Sequence, residues 1–175
     1  MDNLSPLDFF KLESSNDDAI VRTEAMQKVA IIASLLSPDK VRNELIPFLL
    51  TKINELDQIL LELSNKIRHF IPYIGGIEQL PVMIPLIEQL FNTEETTVRN
   101  CACASVNKIL AQLNSGQHSM VVNHFLEMGK RILSIEDGET FYGKVSLVQI
   151  MAELFRIADT DKAALMEMLG KLGIY

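Results

Sequence analysis

An apolar segment carrying a proline recurs along this chain at a nearly constant interval: Pro6 in LSPLDFF, Pro47 in ELIPFLL and Pro85 in VMIPLIE, 41 and 38 positions apart. A fourth segment, HFLEMGKRIL, has Glu127 where the register puts the proline, 42 positions further on. Self-similarity at this spacing constrains the fold more than any single residue does. Each unit is too small to bury its own apolar face and must stack on its neighbours. The turn that follows each segment recurs as well. Asn16 to Arg22 (NDDAIVR) matches Glu94 to Arg99 (EETTVR), with acids shortly before an apolar residue and an arginine. Glu55 to Leu60 is a weaker copy, in which Asp57 keeps the acid without a basic partner. In Glu139 to Lys144 a lysine replaces the arginine.

Inside each unit the apolar residues fall three and four apart, which is helical spacing. Ser5 caps a short helix over 5–13 with Pro6 at its first position, where the missing N–H costs nothing; Phe9, Phe10 and Leu12 face inward or cover its end. A second helix, over about 18–36, buries Val21, Ala25, Val29, Ile32, Ala33 and Leu36. The next unit joins a helix over 41–52, with Leu45, Phe48 and Leu49 inward, to one whose stripe is Ile59, Leu60, Leu63, Ile67 and Phe70 and which stops at Gly75-Gly76. Pro47 falls inside the first of these, and its recurrence as Pro85 implies a repeated kink. Helices over 79–91 and 97–113 flank the acidic turn of the third unit, with Val98, Ala102, Ser105, Val106, Ile109 and Leu113 buried. The fourth has helices over 120–133 and 141–157, with Val145, Val148, Met151, Ala152 and Phe155 inward. A last helix after Asp159-Thr160-Asp161 turns Leu165, Met168, Leu169 and Leu172 toward no partner.

Two helices per unit of about 40 residues define an all-α solenoid of antiparallel hairpins, of the HEAT or armadillo kind. The expected organisation is one domain over 1–175, with units at about 4–38, 39–76, 77–115 and 116–158 and a partial fifth at 159–175. An uncapped end would leave a sticky patch. Either a longer scaffold continues past it or another chain covers it, and self-association through this last helix is one such route.

Composition narrows the function. The chain is 48% hydrophobic with no apolar run near the ~20 residues that cross a bilayer, and Met1-Asp2-Asn3 lacks the basic start of a signal peptide. No membrane partner is expected, and the expected compartment is the cytoplasm, with the nucleus also open. A net charge of −7 with scattered Lys and Arg argues against nucleic acid, which needs a basic stripe. Cys101 and Cys103 fall on different sides of a helix and read as ordinary thiols. His69, His118 and His124 show no metal or triad spacing, no cofactor motif is present, and no catalytic or metal residue is assigned. The acid pairs Asp17-Asp18, Glu94-Glu95 and Glu136-Asp137 suit helix capping, which leaves them free to form an acidic stripe where hairpin turns line up.

The stretches RNELIPFLL, DQILLELSNKIRHFIPYIGG and IPLIEQLFNTEETTVRNCACASVNKI resemble the N-terminal HEAT repeats of the scaffold (A, 65-kDa regulatory) subunits of protein phosphatase 2A. The resemblance implies a non-catalytic scaffold that binds a regulatory B-type subunit through its ridge of intra-repeat turns. The catalytic subunit is a partner only if a longer chain exists. The implied contact residues are Asp17, Asp18, Arg22, Asp57, Glu94, Glu95, Thr96, Arg99, Glu139, Thr140 and Phe141, with Thr140 in the approximate place of the family's tryptophan. Arg22 and Arg99 have a second reading, as rungs of a structural ladder between an acid of one turn and a base of the next. The alternative function is a HEAT or armadillo adaptor for transport or assembly, whose ligand lies along the inner helices.

Overall fold

Each apolar stripe needs a neighbouring helix to cover it, and the computed structural model, which describes residues 4–135, 140–158 and 160–173, supplies those neighbours. Among the described residues every regular element is helical. The chain runs through α1 (Pro6–Glu13), α2 (Ala19–Gln27), α3 (Val29–Leu35), α4 (Pro38–Lys40), α5 (Ile46–Leu50), α6 (Asp57–Lys66) and α7 (Phe70–Tyr73). It continues through α8 (Ile84–Phe91), α9 (Thr96–Ala111), α10 (His118–Ser134), α11 (Phe141–Ile157) and α12 (Lys162–Lys171). First helices stack on first helices, α5 on α8, α8 on α10 and α10 on α12. Second helices stack on second helices, α2 on α6, α6 on α9 and α9 on α11. A continuous apolar core lies between the two layers. This is an all-α solenoid of HEAT-type hairpins.

Small residues set the stacking distance in the second layer. Ser105 Oγ on α9 donates to the Ser64 carbonyl of α6 at 2.7 Å, and on the other side Cys103 Sγ lies 3.6 Å from the Ser146 carbonyl of α11. Arg42 Nη1 donates to the Ile74 carbonyl at 2.6 Å, just before Gly75 and Gly76, whose φ values of 98° and 106° end the hairpin. Those left-handed angles suit glycine alone.

Five sequence expectations change. Neither Pro47 nor Pro85 kinks the middle of an α-helix. Each lies in the first turn of one, after a stretch wound differently: a π-helix over Val41–Leu45 ahead of Pro47, and a 3-10 helix over Ile77–Val82 ahead of Pro85. A proline cannot make the bond to the carbonyl four residues back, and a change of winding just upstream removes the demand for it. In the first hairpin only Phe10 of the three candidates is inside; Phe9 and Leu12 are 49% and 62% exposed. The α2–α3 rod also breaks at Lys28.

The face of α11 is the fourth change. Its buried residues are Gly143, Ser146, Leu147, Ile150, Met151, Leu154 and Ile157, while Val145 and Val148 are exposed, as is Ala152, and Phe155 is half-buried. Gly143 N–H donates to Asn92 Oδ1 at 3.0 Å, and the buried Ser146 hydroxyl reaches both the Phe91 and Tyr142 carbonyls, at 2.7 and 3.0 Å. Those bonds fix the rotation of the helix. Last, α12 packs on α10 and α11, so Leu165 and Met168 are buried and not turned outward. Gly129 makes the seat: a Cβ there would lie 2.4 Å from Met168 Cε.

Candidate protein-binding ridge

The hairpin turns lie at the N-terminal ends of the second helices, where backbone N–H groups lack helical partners. In the first turn Asp18 Oδ1 accepts from the Ile20 N–H at 2.8 Å and caps α2. Arg22, one turn inside the helix, reaches back: its Nη1 donates to the carbonyls of Asn16 and Asp17 at 2.8 and 3.0 Å. The third turn repeats this arrangement residue for residue. Glu95 Oε1 accepts from the Thr97 N–H and hydroxyl at 3.0 and 2.8 Å, and Arg99 Nη1 donates to the Thr93 and Glu94 carbonyls at 2.8 and 2.5 Å. Arg99 Nη2 adds Thr96 Oγ1 at 3.0 Å. In both turns the arginine clamps the backbone and the acids Asp17 and Glu94 stand on the rim.

The two arginines differ in what lies beyond. Arg22 Nε pairs with Glu55 at 3.1 Å, tying the first turn to the second, and Lys52 approaches the same carboxylate at 3.5 Å. That is the expected ladder, but its acid is Glu55 and not Asp57, which begins α6 and is exposed. Arg99 makes no ion pair among the described residues. It is only 6% exposed and its guanidinium sits 4.5 Å from the centre of the Tyr142 ring, so a cation–π contact ties the third turn to the fourth. The ladder reading therefore fails for Arg99, which is a buried clamp. Thr140 is 5% exposed, its hydroxyl turned to the Ile135 carbonyl at 3.3 Å, while Phe141 is 60% exposed. Glu139 and the pair Glu136-Asp137 lie outside the described residues.

Glu55 and Tyr142 are the members of this ridge that sequence reasoning passed over. Glu55 stood in the quoted turn, two positions from the acid chosen; Tyr142 carried no signal, because nothing in the sequence pairs it with an arginine 43 positions earlier.

Among the described residues no group of three His, Cys, Asp or Glu is placed to hold a metal ion, and no helix is long and apolar enough to cross a membrane. Burial pushes the Cys103 thiol up to about 12, and Cys101 is raised by the same cause; both are free thiols. Glu95 titrates below its ordinary 4.5 because its carboxylate accepts from the Thr97 N–H first and the Thr97 hydroxyl second. A depressed carboxyl stabilises the fold fully above its unfolded value and loses that contribution as pH falls through the folded one. Glu95→Gln is accordingly expected to melt below the parent at neutral pH and together with it in strong acid. Equal melting at both would show that the charge adds nothing to the cap.

No family model matches the chain. It is 36% identical over 134 residues to the alpha-isoform 65 kDa regulatory A subunit of serine/threonine-protein phosphatase 2A from Arabidopsis thaliana, covering 77% of this chain and 22% of that protein. It is 38% identical over 118 residues to the regulatory A subunit of protein phosphatase PP2A from Saccharomyces cerevisiae, covering 66% and 18%. The 65 kDa regulatory subunit of Drosophila melanogaster PP2A is 31% identical over 172 residues, 98% of this chain and 28% of that protein. The chain is a homologue of the phosphatase 2A A subunits. It spans 18% to 28% of the length of these curated relatives. Both arginine-clamped turns fall inside the match to the fly protein, which omits only a few residues of this chain. All three relatives are named as regulatory subunits.

Proposed function

We propose that this chain is a non-catalytic scaffold of a phosphatase 2A-type complex, acting in the cytoplasm or nucleus, and that it binds a regulatory B-type subunit through the turn ridge. The observation that carries the reading is the doubled clamp. Arg22 and Arg99 hold two turns in one conformation through the same pair of carbonyl contacts, and each turn projects acid side chains from its rim. A preorganised turn loses little conformational entropy on binding, and aligned acids select a basic partner surface. The catalytic subunit binds only where a longer chain supplies further repeats.

Titration of the purified chain with a phosphatase 2A B-type subunit tests this, beside the Glu94→Lys, Glu95→Lys variant with helicity checked on both. The expected loss in the variant is about tenfold or more in Kd. A folded parent that does not bind would detach the partner from the fold and favour an adaptor whose ligand lies along the inner helices instead of the turn ridge.

A further inference from the structure

The turns occupy the N-terminal ends of the second helices; the opposite ends of α6 and α9 carry charge of the other sign. Lys66 in the last turn of α6, Arg68 and His69 in the 3-10 turn that follows it, and Lys108 in the last turn of α9, the helix on which that 3-10 turn packs, share one corner. After desolvation, the largest cause, Arg68, Lys66 and Lys108 all lower the His69 pKa, and Arg68 Nε donates to His69 Nε2 at 3.2 Å, so the imidazole there is a neutral acceptor. A cation in the last turn complements a helix dipole, which accounts for Lys66 and Lys108 one helix at a time. It does not account for their meeting Arg68 and His69.

No carboxylate pairs with these four groups among the described residues. Glu62, one turn up α6, accepts instead from the Gln27 amide at 3.1 Å, and Glu78, which shares a cleft with Arg68, lies 3.5 Å from the Gln117 amide. The corner opens into a cleft of about 240 Å³ whose walls include Lys66, His69, Tyr73, Ser34 and Ile31. Ile31 is 61% exposed.

We propose that this corner docks an acidic peptide segment of a partner protein, with its carboxylates on Lys66, Arg68 and Lys108 and an apolar side chain against Ile31 in the cleft. Charge complementarity selects the acid: a chain of net charge −7 concentrates cations without carboxylate partners here. The apolar wall and the small number of cations select a peptide over a nucleic acid, whose affinity comes from neutralising many phosphates. The site is separate from the ridge, so a partner can be gripped at both edges of the second-helix layer.

Fluorescence anisotropy with a fluorescein-labelled peptide of alternating glutamate and leucine tests the proposal on the intact chain. Saturable binding that weakens as salt rises is expected, with a loss of about tenfold or more in the Lys66→Glu, Arg68→Glu, Lys108→Glu variant at unchanged helicity. The Glu94→Lys, Glu95→Lys variant is expected to bind the peptide as the parent does. Should the triple variant lose helicity, Lys108→Glu alone, at an exposed position, is expected to lose about threefold. No saturable binding by the folded parent, undiminished binding by the folded charge-reversal variants, or tighter binding of a single-stranded oligonucleotide than of the peptide overturns the proposal.

Discussion

Arg99→Ala is expected to destabilise the fold by about 3 kcal/mol, because it strips a buried charged donor from three acceptors at once. The guanidinium holds the Thr93 and Glu94 carbonyls and the Thr96 hydroxyl, and covers Tyr142. Its Nε is buried without a partner, a cost that the substitution removes, so the net loss is smaller than the sum of the bonds. For a chain of this size each kcal/mol moves the melting temperature by about 2–4 °C, giving a drop of about 6–12 °C. Arg99→Lys is expected to recover less than half of it, since a single ammonium does not span the two carbonyls, the hydroxyl and the ring. Arg22→Ala should cost less, about 1–2 kcal/mol, because its side chain is 17% exposed and water can replace part of what is lost. Thermal melts of the three variants decide the matter; an Arg99→Ala protein that melts with the parent would mean that the clamp only decorates a turn held by its cap.

Phe70→Ala is expected to cost about 3–5 kcal/mol through the cavity it leaves. Phe70 is fully buried and opens α7, which packs against α3 on one side and against the 3-10 stretch over Ile77–Val82 on the other. It therefore sits where three successive hairpins meet. Stability in a solenoid is a sum of unit and nearest-neighbour terms, so the loss should appear as a separate early transition of the N-terminal hairpins, with α9 to α11 melting later. Hydrogen exchange followed by urea titration resolves the two. A single cooperative transition shifted as a whole would show that the interfaces are too strong for the stack to divide.

How legible the molecule was depended on the helix. The stripe that runs from α6 through the 3-10 turn over Ile67–His69 to the start of α7 is legible because Ile59, Leu60, Leu63, Ile67 and Phe70 are apolar and the opposite side is polar; the structure buries all five. On α11 both sides are apolar. Val145 and Val148 looked like core, yet the buried side includes Gly143 and Ser146, whose partners Asn92 and Phe91 lie 51 and 55 positions away. Periodicity cannot weigh such bonds. The ridge shows the same division: the caps at Asp18 and Glu95 and the rim acids Asp17 and Glu94 follow from local spacing, whereas the burial of Thr140 does not.

The architecture follows from the repeat: a period near 40 residues with helical spacing inside it leaves stacked hairpins as the way to bury every stripe, and acids before each second helix put polar turns on one edge. What each turn is tied to depends on how the hairpins stack. Arg22 and Arg99 are equivalent in the local sequence and clamp their own turns alike, but stacking brings Glu55 to the first and Tyr142 to the second, making one a partly exposed ion pair and the other a buried cation on a ring. The cationic corner is likewise a product of stacking, since Lys66, Arg68 and His69 meet Lys108 only when α6 and α9 lie side by side. Contacts between residues some 40 positions apart are set by helix packing distance and rotation, and those are global quantities that no local window contains.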